Sequence, residues 1–239
     1  MKSIVLLLLV VGLVLSCASL PPLHQAHRPM TVESNQTCQG LYPLGQWQLY
    51  HTIEAELPGR QTGFLMGLTV LSSQERSARC VIMTLEGFVV FDARYDGQIT
   101  IERAVAPFEN DAFALGLMAD IQLIFFKPLA DEISMGALSD NVTVCRHLLP
   151  NGNVIDLVNP ENNHWETRLY RSNHRVMRIV KSMIKDKPPG EDLTGIADKI
   201  ELTALGTPGY TLILNLVEAI PIGIKDPNEK NEVPISSTK

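Results

Sequence analysis

Several things are missing from this chain of 239 residues, and each absence narrows what it can do. No apolar run is long enough for a spanning helix. The longest covers 4–15, against the roughly 20 residues that a bilayer requires. Cysteine is scarce, at four residues, and none has a Cys or His neighbour at zinc-ligand spacing. Basic residues are outnumbered, 20 Lys and Arg against 26 Asp and Glu. The resulting net charge of −6, with no compensating basic cluster, excludes nucleic acid as a partner. There is no G-x-S-x-G, no H-E-x-x-H and no glycine-rich loop followed by Lys. We therefore expect no catalytic residue, no metal site and no cofactor.

What the chain does have begins at its start. Lys2 and the amino terminus precede the apolar run, and Ser16-Cys17 follows it at once. The run falls within the roughly 7–15 residues of a signal-peptide core. Small Ser16 before Cys17, with Val14 and Leu15 upstream, resembles the lipobox of bacterial lipoproteins. The resemblance implies cleavage after residue 16 and a lipidated Cys17, which anchors the mature protein to membrane. Ala18, in place of an Asp, favours the outer membrane and its periplasmic face. The competing reading is an ordinary secretory peptide cleaved after Ala18. Residues 17–45, rich in Pro, Gln, Ser and Thr, read as a flexible tether, and 223–239 as a disordered tail.

From Gln46 the texture changes to short alternating runs broken by turn residues. "QWQLYHTIEAEL", "QTGFLMGLTVLSS", "CVIMTL", "FVVFDARY" and "DGQITIERA" read as a five-strand antiparallel meander, with Asp96-Gly97 as one tight turn. The period then switches. Phe113, Leu117, Ile121, Ile124 and Phe125 form a helical stripe over 109–126, with Asn110 or Asp111 as cap and Lys127-Pro128 as stop. Residues 129–139 read as a second short helix or irregular turn. Strand-like runs resume from 141 to 220. About ten strands with one good helix predict a mainly β (α+β) domain over 46–222, a curved antiparallel sheet covered by one or two helices.

The succession "VIMTLEGFVVFDARYDGQITIER", "LGLMADIQLIFFKP" and "KIELTALGTPGYTLILNLVEA" is similar to that of the LolA/LolB superfamily of periplasmic lipoprotein-handling proteins, over about 45–220. The resemblance implies an unclosed, strongly curved half-barrel, its apolar cavity open to acyl chains or a lipidated molecule. The residues expected to line the cavity are Phe64, Met66, Leu68, Val81 and Met83 from strands, with Phe113, Leu117, Ile121 and Phe125 facing them from the helix. The alternative is a packed interior and a protein partner in the cell envelope, met at an open sheet edge. In the LolB branch an apolar residue protrudes before a Gly and enters the membrane. Here that place in the turn 85–88 is held by Glu86, leaving Leu85 and Phe88 as the candidate membrane contacts. A carboxylate at the tip opposes insertion.

Cys38, Cys80 and Cys145 allow one disulfide and one thiol, and Cys80 in "ARCVIMTL" reads as a buried apolar cysteine. Arg168, Arg171, Arg175 and Arg178 form either a small basic patch for a lipid phosphate or an ordinary charged face. His24 and His27 fall in the tether, where solvation is the plain reading.

Overall fold

The computed structural model describes residues 19–24, 41–59, 61–138, 142–159, 163–185, 195–207 and 209–223. The expected leader, Cys17, Cys38 and the expected tail from 224 on lie outside the described residues. The meander is β1 (Gln46–Leu57), β2 (Gln61–Ser72), β3 (Ser77–Met83), β4 (Val89–Tyr95) and β5 (Ile99–Ala104). Helix α1 (Asp111–Phe125) follows. Seven strands then complete the chain: β6 (Glu132–Ala137), β7 (Thr143–Leu148), β8 (Val154–Val158), β9 (His164–Tyr170), β10 (Val176–Met183), β11 (Lys199–Ala204) and β12 (Tyr210–Ile222).

All twelve strands form one antiparallel sheet in the order β5-β4-β3-β2-β1-β12-β11-β10-β9-β8-β7-β6. β12 returns to pair with β1, joining the two meanders at the centre. The edge strands β5 and β6 flank α1 in the chain and do not pair, so the sheet is a curved half-barrel left open. The expected second helix or irregular turn over 129–139 is corrected: it contains the edge strand β6. Its short sequence "EISMGA" carries too few apolar positions to reveal an alternation without its partner β7.

α1 starts where its capping chemistry places it. Asn110 has extended backbone, and its Oδ1 accepts from the Phe113 N–H at 2.7 Å. The helix stops at Phe125, and Phe126 is already extended, two residues ahead of Pro128. The buried stripe is Ala114, Met118, Ile121 and Phe125, with Phe113, Leu117 and Ile124 half-buried beside it. Phe113 meets the Phe91 ring edge-on at 5.0 Å between centroids, tying the first turn to β4.

The core lies between α1 and the concave face. Leu49, Phe91, Leu157 and Leu202 are fully buried there, each contributing about 1.5–3 kcal/mol. A dry void of roughly 300 Å³ in their place would cost about 7 kcal/mol. That approaches the whole stability of an ordinary domain, about 5–15 kcal/mol.

Candidate functional site

The register decides which strand residues face α1. Trp47, Leu49 and His51 of β1 are buried on the concave side, and they oppose Leu71, Thr69 and Gly67 of β2. With a period of two, the concave residues of β2 are therefore Leu65, Gly67, Thr69 and Leu71. Those of β3 and β4 are Ala78, Cys80, Ile82, Phe91 and Ala93. Phe64, Met66, Leu68, Val81 and Met83 take the other parity and lie on the convex face, away from the helix. The expectation that they line the space beneath α1 is corrected. β2 is apolar on both faces in its middle, so its own pattern could not choose between them. The alternation of β1 and of Ala78, Cys80 and Ile82 carried the deciding signal.

On the helix, Ile121 and Phe125 do point into the concave face and are buried, whereas Phe113 and Leu117 are half-buried at its flank. The centre beneath α1 is occupied by side chains. Half-open apolar groups that face the hollow include Leu65, Tyr210, Leu212 and Leu214. At the turn end of this region a cavity of about 530 Å³ opens, lined by Leu57, Thr62, Ala204 and Tyr210 among others. A second groove of about 520 Å³ lies at the other end of the sheet, with Trp165, Arg168, Lys181 and Lys199 in its wall.

A charged cluster pins α1 to the sheet. Arg178 of β10 donates from Nε to Asp120 Oδ1 at 2.8 Å, and the Tyr210 hydroxyl donates to Asp120 Oδ2. Arg178 also lies over the Tyr210 ring, 5.4 Å from its centroid. Burial raises the Asp120 carboxyl above the ordinary carboxylate range, and its two partners offset part of that rise. Desolvation likewise pushes the Tyr210 hydroxyl upward. Sequence reasoning missed Asp120, which sits on an otherwise apolar helix face. Arg178 is thereby removed from the four-arginine patch. Arg168 pairs with Glu166, and Arg171 and Arg175 remain exposed near the β9–β10 turn.

The turn between β3 and β4 is firmly built. Gly87 N–H donates to Thr84 O at 3.0 Å, and Thr84 N–H to Phe88 O at 2.9 Å. Gly87 has φ of +89°, a conformation that glycine adopts without strain. Leu85 is 61% and Phe88 71% exposed. Glu86 between them is held below the usual carboxylate range by a hydrogen bond from Thr84, so the tip is charged. The displaced residues continue this surface: Met83 pairs with Met66, Val81 with Leu68, and Phe64 stands exposed at the β2 start. An apolar strip thus runs from Phe88 and Leu85 down the convex side of β2 and β3.

Two histidines, His51 and His147, are buried in the core. His51 Nε2 and both ring nitrogens of His147 have no hydrogen-bond partner, and burial lowers the His51 pKa to about 4. Among the described residues no group of His, Cys, Asp and Glu is arranged to hold a metal ion.

This arrangement, twelve antiparallel strands in an open half-barrel with one helix across the hollow, has a match among solved structures. A LolA superfamily protein from Nitrosomonas europaea superposes with a TM-score of 0.53 over 83% of this chain and 96% of that one, at 10% identity. The fold is LolA-like. An outer membrane lipoprotein-sorting protein domain from Vibrio parahaemolyticus covers 82% of this chain and 94% of its own, with a TM-score of 0.44 and 14% identity. No protein-family model matches the sequence, and no curated protein does. In this fold α1 lies across the concave face, and Leu85 and Phe88 of the β3–β4 turn are among the exposed large apolar side chains.

Proposed function

We propose that the chain is a non-enzymatic lipoprotein of the outer membrane, anchored through Cys17 on the periplasmic side, that binds or hands over an acylated molecule. The observation that carries this reading is the strip formed by exposed Leu85, Phe88 and Phe64 with half-buried Met83. Large apolar side chains gathered on one turn and one sheet face mark a surface meant for contact. With the centre beneath α1 filled, the convex strip is the surface that first meets an acyl chain, and the half-open concave region of Leu65, Leu212 and Leu214 is the place that holds it. Its occupancy does not require an empty core.

The test is transfer of a fluorescent triacylated peptide from the purified lipoprotein to acceptor vesicles. Leu85→Ser with Phe88→Ser is expected to slow transfer at least tenfold while the melting temperature stays within a few degrees. Absence of any transfer, with no lipid retained in native mass spectrometry, would sink the reading.

The filled core favours a second reading, an interaction lipoprotein of the same fold that meets a protein of the envelope. It gains if the protein retains no lipid, and if a purified envelope protein binds it in a fixed ratio through the β5 edge.

A further inference from the structure

Residues 19–24 are fixed to the domain. The Pro21 carbonyl accepts from Arg146 Nη2 at 3.0 Å. Arg146 is itself held by Asp156 through two bonds of 2.7 Å. His24 and Ala137 exchange both backbone hydrogen bonds at 2.9 Å, a one-residue antiparallel pairing on the free edge of β6. The fit is close: a Cβ on Gly136 would stand 2.8 Å from His24 O and 2.9 Å from Leu23 Cβ. Val154, Asp156 and Val158 point to the convex side of β8, which α1 does not cover, and they are nonetheless buried.

We infer that this segment is a strap that seats the β7–β9 end of the domain directly on the bilayer holding Cys17. The inference rests on the lipoprotein reading above. Pro21 is four positions past Cys17, a reach of about 14 Å at full extension. A flexible tether over 17–45 would instead let the domain wander roughly 30 Å. Within the shorter reach, Leu148 lies two residues beyond Arg146 on the same face and is 40% exposed. The β9–β10 turn stands beside the β7–β8 turn, joined by Ser172 N–H to Asn153 Oδ1 at 3.1 Å. It brings exposed Arg171 and Arg175 to the same end. An apolar side chain flanked by guanidinium groups suits the boundary between acyl chains and lipid phosphates.

The experiment uses the full lipidated protein in phosphatidylethanolamine–phosphatidylglycerol vesicles. A dye on Leu148→Cys is read against nitroxide-labelled headgroups, and hydrogen exchange is followed at His24 and Ala137. Strong quenching is expected, with both amides protected at least a hundredfold. Ten Gly/Ser residues inserted after Ala18 should cut quenching several-fold and leave His24 protected. Gly136→Val should cut quenching and release His24 together. Equal quenching in all three proteins, or free exchange of His24 in the parent, overturns the strap. Mass spectrometry of the Cys17 peptide separates the two failures. An unmodified thiol defeats the lipoprotein reading and the bilayer seat with it, whereas acylated Cys17 with unchanged quenching defeats the seat alone.

Discussion

Asp120 of α1 and Arg178 of β10 meet beneath the helix at 2.8 Å, 58 residues apart in the chain. The Asp120 side chain is 5% and that of Arg178 18% exposed. Removing one partner from so dry a pair leaves a buried charge, which typically costs about 3–5 kcal/mol. Asp120→Leu is expected to lose that much in urea unfolding. Asp120→Leu combined with Arg178→Met should regain most of it, because the replacements are apolar and of similar bulk. A double variant no more stable than the single would refute the pairing.

Acid should weaken the fold through His51. Its pKa is near 6.5 when unfolded and about 4 in the native state, where burial disfavours the charged ring. Between those values the unfolded chain binds a proton that the folded chain refuses. Stability therefore falls as pH drops from 6.5 to about 4, by about 3 kcal/mol, and levels off below. His147, also lowered by burial, adds to the loss. Asp120, whose pKa is raised, acts in the opposite sense, since its folded form takes up a proton first. His51→Gln should flatten the pH profile of urea midpoints; an unchanged slope would exclude His51 as the cause.

At the β3–β4 tip, Glu86 opposes entry into lipid while Leu85 and Phe88 favour it. Glu86→Leu is expected to raise transfer to neutral acceptor vesicles several-fold without altering the melting temperature. Co-flotation with acceptor vesicles that remains as in the parent would show that the tip does not touch membrane.

Cys145 is disulfide-bonded and Cys80 is a buried free thiol. Under the proposed acylation of Cys17, Cys38 is the cysteine left to pair with Cys145. Peptide mapping without reductant should yield a Cys38–Cys145 pair, and Cys80 should react only in denaturant. Closing a loop of about 100 residues is worth roughly 4–5 kcal/mol in chain entropy, so reduction should lower the unfolding midpoint clearly. A Cys17–Cys145 peptide would contradict both the pairing and the lipid anchor.

The local chemistry of the chain was enough for some elements. Asn110 capped α1, Pro128 ended its reach, and the tight turn at Asp96-Gly97 joined β4 to β5. Alternation in β1 and β4 marked their buried faces because polar residues interrupt the apolar ones. β2 lacks that contrast, so its parity was set by hydrogen bonding to β1 and β3. β6 is too short to announce itself, and it became a strand through β7. Residues 19–24 carry no periodic signal, and their docking depends on Arg146, more than a hundred residues away.

The sequence by itself determined an antiparallel, helix-covered sheet, because turns, caps and periodicity act within a few residues. Tertiary structure alone decided which side of β2 met the helix, that Arg178 would turn inward to Asp120, and that the start of the domain would lie across its convex face. Those outcomes come from contacts between distant segments, where a one-residue change of register exchanges the faces of a strand.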